Sequence, residues 1–312
     1  MRALVFIETC GEKVLSGSLE LISLLKELNA DGLAIVVGNR VAADTVSSFG
    51  IPTTFIDTDT DCDTLTHVLA EIIKEQNPDL VLLAHTTLAK DLAPRIAGRI
   101  DLGCVSDVIK ISINDGKTIY TRAAYGGTIL ENIEVEGTAI VTVRNGSYQK
   151  PDLGLSMEVT NKHIDIPDGT VKTKIVDVVK EITESVNLEE AKVIVSGGRG
   201  MGTPENFKLV EELADVLGGV VGASRPPIEN GWISRAHQVG QSGKIVSPKL
   251  YIACGISGAT QHTSGMLDAD YIVAINKDED APIFDIANVG IVGDANKIIP
   301  AMIEEIKKIK AQ

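Results

Sequence analysis

Gly255, Ser257 and Gly258 follow the apolar run Leu250–Ala253, and Gln261 and His262 come soon after them. Glycines let a main chain approach a ligand closely, and free N–H groups at a helix start suit a phosphate. The Ser257 hydroxyl and the amides of Gly258, Ala259, Thr260 and Gln261 therefore form a candidate diphosphate site. Tyr271–Ile275 is a second buried-type strand ending in Asn276, so two adjacent strand ends would deliver polar groups to one crevice. A nucleotide fits such a crevice. An ordinary strand-to-helix turn is the competing reading, because a glycine turn alone is a weak motif.

Arg199 lies among Gly197, Gly198, Gly200 and Gly202, directly after the run Val193–Ser196. There its guanidinium could reach a pyrophosphate, against the alternative of a solvated surface arginine. GGRGMG is not the G-x-G-x-x-G fingerprint, which argues against a standard NAD-binding turn. Ser224 and Arg225 precede Pro226-Pro227, a rigid support that would hold a cation against a ligand. Gln238–Ile245 places Gly243 beside Lys244, as a phosphate-binding P-loop does. It lacks the glycine needed at 238 and the hydroxyl needed at 245, so an ATPase reading fails. Asn276 and Asp294 each follow an apolar strand, where contact with a ligand competes with a plain turn-forming role. His67, His85, His163 and His237 are read as structural. No nucleophile with an adjacent base and no carboxylate pair stands out, which fits a protein whose chemistry belongs to a bound cofactor.

These residues need a scaffold, and the apolar pattern supplies one. Strands are expected at Ala3–Ile7, Gly32–Val37, Thr53–Ile56 and Leu80–Ala84, with helices at Ser16–Asn29, Ala42–Phe49, Leu65–Glu75 and Thr87–Arg99. This alternation argues for a mostly parallel sheet flanked by helices. Thr118–Arg122, Ile129–Val135 and Ala139–Val143 are close together, which predicts hairpins or an antiparallel edge. Ser147–Asp168 reads as polar and broken, and Lys172–Glu184 fits a helix or a strand. A boundary at Asn187–Ala191 separates residues 1–190 from residues 191–312. The second part repeats the α/β pattern, with strands near Val193, Val220, Ile252 and Ile272, a helix opened by Pro204, and a last helix at Asn296–Lys310. The expected fold is thus α/β, two Rossmann-like domains, with an antiparallel hairpin region ending the first.

A chain of 312 residues, 44% of them hydrophobic, can bury two cores. Its formal net charge of −14 disfavours nucleic acid as a partner, and no basic cluster offsets it. No apolar run reaches the roughly 20 residues that span a bilayer, so membrane insertion is not expected and a cytoplasmic location is the default. Cys10, Cys62, Cys104 and Cys254 are far apart, without a metal-binding pattern, and are read as reduced thiols.

The combination SGGRG, GASRP, VGQSGK, GISGATQH and VAIN, in this order and spacing, closely resembles the FAD domain of the electron-transfer flavoprotein alpha subunit. TRAAYGG at Thr121–Gly127 extends the resemblance over essentially the whole chain. The resemblance implies an FAD-binding electron carrier, not a substrate-specific enzyme. It assigns Arg199 to FAD and brings the loop of Val239, Gly240, Gln241 and Ser242 against the flavin, with the Ser242 hydroxyl on ring nitrogen N5. Many members carry Thr there, and Ser loses the branch that stiffens the rotamer. It implies Arg225, beside Ser224, as a fixed positive charge near the isoalloxazine, which raises its potential. His262 would supply a donor or a charge at the C2 carbonyl, and Asn276, Asp294 and Ala295 would hold the ribose and adenine end. Residues 1–190 would dock on a beta subunit that carries AMP, or a second FAD in electron-bifurcating, NADH-using members. Acyl-CoA dehydrogenases would be the redox partners. Two rival readings stay open: a self-sufficient FAD-dependent oxidoreductase, and a nucleotide-binding sensor.

Overall fold

The computed structural model describes residues 1–127, 129–173, 176, 188–189 and 191–310. The chain divides into two compact units, Met1–Val179 and Lys180–Gln312.

In the first unit the order is β1 (Arg2–Ile7), a small hairpin of β2 (Thr9–Cys10) and β3 (Lys13–Val14), α1 (Ser16–Glu27), β4 (Asp31–Val37), α2 (Arg40–Ser47), β5 (Thr53–Ile56), α3 (Cys62–Gln76), β6 (Leu80–Ala84) and α4 (Thr87–Ile100). Then come β7 (Gly103–Asn114), β8 (Lys117–Ala124), β9 (Ile129–Glu134), β10 (Ala139–Val143) and β11 (Val159–Asn161). Nine strands form one sheet in the order β11-β5-β4-β1-β6-β10-β7-β8-β9. The centre of the sheet is buried on both faces: Ala3, Val5 and Ile7 of β1 point into one core, while Leu4 and Phe6 point into the other. That double burial is why its parallel strands read as unbroken apolar runs. Helix ends follow local chemistry. The Asp61 side chain accepts from the Thr64 amide to open α3, and Asn77, at φ 43°, closes it just before Pro78.

The expected antiparallel region holds for β8 and β9, with β7 added to it as an unexpected strand antiparallel to β8, but not for Ala139–Val143. β10 instead lies between β6 and β7, parallel to both, with all five residues buried. Its continuous apolar run is the signature of such a central strand, and chain proximity to the hairpins was the misleading cue. β7 escaped sequence reading because a bulge breaks its alternation: its register shifts near Asp107, which has φ 62°. The polar stretch Ser147–Asp168 also hides β11, which extends the edge beside β5. Lys172–Glu184 lies largely outside the described residues.

The second unit runs β12 (Val193–Gly197), α5 (Pro204–Leu217), β13 (Val220–Ala223), α6 (Arg225–Glu229), β14 (Leu250–Cys254), α7 (Thr260–Thr263), β15 (Ile272–Asn276), β16 (Val289–Val292) and α8 (Ala295–Lys310). Its five strands are all parallel, in the order β13-β12-β14-β15-β16. One face carries Val195, Ile252 and Ile275 against Phe207 of α5 and Ile299 of α8. The other buries Ile194, Tyr251, Ala253 and Ile272 with Leu188, Val246, Met266 and Ile283 from the segments that cover it. Both units are thus Rossmann-like: the second sheet sets all its strands' carboxyl ends along one edge, and the first does so for every strand but β8.

Candidate functional site

In the second unit the strand order reverses between β12 and β14, and open α/β sheets bind ligands outside the carboxyl ends of strands at that reversal. The turns leaving these two strands are tied together. Gly198 N donates to Cys254 O at 2.8 Å, and Gly200 N donates to Gly255 O at 2.9 Å. Side chains cannot fit between them. Gly255 has φ +63°, and a Cβ there would lie 2.8 Å from the Gly200 carbonyl carbon. Gly258 has φ +90°, and its Cβ would lie 2.1 Å from Ile283 N. The helix expected to follow is a single turn, Thr260–Thr263, so any anion here meets individual amides and not a helix dipole of useful length. Among the described residues the amides of Ser257 to Gln261 find no backbone acceptor.

A cleft of about 540 Å³ opens at these turns. Arg199, Ser224, Arg225, Val239, Gln241 and Ser242 line it, as do Ser257, Ala259, Gln261, His262 and Asn276. Gly240, Gly258, Thr260, Asp294 and Ala295 stand outside the lining. Gly258 shapes the turn, and Gly240 packs so closely on the Gln261 carbonyl that a Cβ would come within 2.4 Å of it. Asp294 accepts from Asn296 N at 3.1 Å and pairs with Lys277 at 3.3 Å, while Ala295 is buried in the core. Partial desolvation raises the Asp294 pKa, but the Asn296 amide and Lys277 outweigh it, and the net shift is down. The lining also includes Gly200 and Gly255, expected there as turn glycines, and Pro226, Gln238, Ile256, Asp278, Ala281 and Pro282, which were not named as ligand contacts. Asp278, Ala281 and Pro282 follow β15 in a segment without glycine, and sequence offered no signal for them.

His262 is 7% exposed, and its ring is held by two partners. Nδ1 lies 3.0 Å from the Val239 carbonyl, which can only accept, so Nδ1 carries a proton. Nε2 lies 3.0 Å from the Tyr251 hydroxyl and accepts from it in the neutral ring. Burial pushes the His262 pKa down to about 4, so the ring is neutral at pH 7. It has no N–H left for a ligand, which departs from the expected donor role. Arg225 is paired through Nε with Glu229 at 2.7 Å, and both are largely exposed. Asn276 donates from Nδ2 to Ile256 O at 2.9 Å and accepts from Asp278 N at 3.1 Å, which ties the end of β15 to the glycine turn. A larger hollow, about 630 Å³, lies in the first unit beside Lys26, Lys110 and Lys150, but it is polar and open and has no glycine turn.

A family model described as the electron transfer flavoprotein domain matches residues 3–177, and one described as the electron transfer flavoprotein FAD-binding domain matches residues 187–267. The electron transfer flavoprotein subunit alpha of Bacillus subtilis is 39% identical over 99% of this chain and 94% of its own length. The chain belongs to the electron transfer flavoprotein alpha-subunit family. The subunit alpha of Thermoanaerobacterium thermosaccharolyticum is 49% identical, covering 78% of this chain and 75% of the relative. The acryloyl-CoA reductase electron transfer subunit beta of Anaerotignum propionicum is 35% identical over 98% of this chain and 95% of its own. Electron transfer is the family's activity, its FAD-binding domain model includes most of the cleft residues, and its members pair with a beta subunit.

The cleft fits FAD. Its volume lies in the range of small-molecule sites. The Arg199 guanidinium and a run of amides that find no backbone acceptor among the described residues match a diphosphate's charge and acceptor atoms. The tight glycine turns let main chain, not side chain, meet it. Among the described residues there is no group of three or more metal-ligating side chains, and no helix is long and apolar enough to cross a membrane.

Proposed function

We propose that this chain is the alpha subunit of a heterodimeric electron-transfer flavoprotein, with FAD seated in the cleft of the second unit. The observation that carries the reading is the glycine-turn cleft at the strand-order reversal, flanked by Arg199 and Arg225. Bound FAD supplies the redox chemistry. The chain's own residues bind and orient it. Arg199 and the amides of Ser257 to Gln261 hold the diphosphate, and Arg225 and the loop from Val239 to Ser242 face the isoalloxazine. Asn276, with Asp294 and Ala295 nearby in sequence to the last helix, serves the ribose and adenine end. His262 acts as a neutral, buried brace for the Val239 carbonyl.

In this reading the first unit docks on the beta subunit, and the domain boundary falls before Leu188, whose side chain is fully buried in the second unit's core. The redox partner is a flavin dehydrogenase, an acyl-CoA dehydrogenase by analogy with the reductase subunit named above, and the setting is cytoplasmic. NADH-driven bifurcation would need a second flavin on the beta subunit. Co-expression of this chain with its beta subunit should give a yellow complex that releases FAD on denaturation. Release of FMN alone, or a colourless complex after reconstitution with FAD, would overturn the reading.

A further inference from the structure

Gln238 is 5% exposed and lines the cleft four residues before Ser242. Its amide Nε2 donates to Ser242 Oγ at 2.9 Å. The surrounding loop is fixed by its main chain: Val239 N donates to Ala223 O at 2.9 Å, Gln241 N to Gln261 O at 2.7 Å, and Lys244 N to Gln238 O at 2.8 Å. With the backbone held, the freedom left to Ser242 is its χ1 and its hydroxyl rotor, and serine lacks the branch that would restrict χ1. A hydroxyl has one proton and two acceptor positions. Gln238 occupies one acceptor position, so the proton cannot point at Gln238 and stays available to an acceptor atom in the cleft.

We propose that Gln238 is a positioning residue that locks the Ser242 side chain and presents its hydroxyl to the bound ligand as a hydrogen-bond donor. The proposal rests on the reading of this cleft as the FAD site. Gln238 takes over the restraint that a β-branched residue at 242 would provide, and it acts on the ligand through Ser242.

The test is a double-mutant cycle on the complex with the beta subunit: wild type, Gln238→Met, Ser242→Ala and the double variant. Each is measured for FAD dissociation constant and for the midpoint potential of the bound FAD at pH 7. Each single variant should weaken FAD binding about 3- to 10-fold, the worth of one hydrogen bond. Each should also move the potential in the same direction, and the double variant should match Ser242→Ala alone. The potential of bound FAD does not respond to a loss of fold stability, so it separates positioning from a structural role. Additive shifts in the double variant, or a wild-type potential in either single variant, would overturn the proposal. Gln238→Glu keeps the shape but turns the bond around, since a carboxylate takes the Ser242 proton for itself. It should weaken FAD at least as much as Gln238→Met, and wild-type affinity there would also overturn the proposal. A wild-type complex that binds no FAD would instead bring down the reading of the cleft.

Discussion

Tyr251 and His262 are both buried, and their contact sets the chemistry one end of the cleft can offer. Tyr251→Phe leaves Nε2 of His262 as a buried acceptor without its donor, which costs about 1–3 kcal/mol. Urea unfolding should register that loss, while the ring stays neutral because burial, not Tyr251, depresses its pKa. Unchanged stability would mean that another donor replaces the phenol. Arg225 sits at the opposite extreme, 69% exposed and paired with Glu229. Its positive charge still favours a more negative ligand, so Arg225→Ala should lower the potential of bound FAD. Solvent and Glu229 screen that charge, so the shift should be modest and should shrink as salt rises. Potentiometric titration that shows the same couple in both proteins would exclude the role.

At the level of elements, α1 in the first unit carries a buried carboxylate. Glu20 accepts from Gly146 N at 2.7 Å and so ties the helix to the turn after β10. Burial raises its pKa from 4.5 to about 7, against the lowering effect of the Gly146 and Tyr148 amides. The folded value is above the unfolded one, so between them the folded chain keeps a proton that the unfolded chain has lost. Stability therefore falls as pH rises through that window, by about 3 kcal/mol in total. Glu20→Gln removes the titration while keeping an acceptor for Gly146. It should match wild type at pH 4 and be the more stable protein at pH 8. Melting curves that run parallel across this range would show that Glu20 titrates normally.

The whole molecule is built as two self-contained cores. Among the described residues, every residue that lines the cleft lies in the second unit, and that unit's two apolar clusters draw on residues from Leu188 onward. A fragment of residues 188–312 should therefore fold cooperatively by circular dichroism and retain measurable FAD affinity. A fragment that starts at 191 loses the fully buried Leu188 and should melt at a lower temperature, by the several kcal/mol expected for removing a buried leucine side chain. If the longer fragment is unfolded in isolation, the division of labour between the two units is wrong.

Sequence alone determined what depends on local pattern. The apolar runs at Leu80–Ala84 and Leu250–Ala253 and the Pro204 start mark elements whose propensity and burial agree, so no distant contact was needed to read them. The glycines at 255 and 258 marked the ligand turn for the same reason, because a residue without a side chain readily takes positive φ and leaves room for neighbouring main chain. Tertiary structure decided what depends on neighbours far along the chain. β10 moved to the centre of the sheet because β6 and β7 flank it, and β7 stayed hidden behind its bulge. His262 became a neutral brace because Tyr251 and Val239 take both its nitrogens, and Gln238 became part of the site because its amide meets Ser242. A side chain's partner fixes its protonation and its direction, and spacing along one chain does not specify which partner the fold will bring.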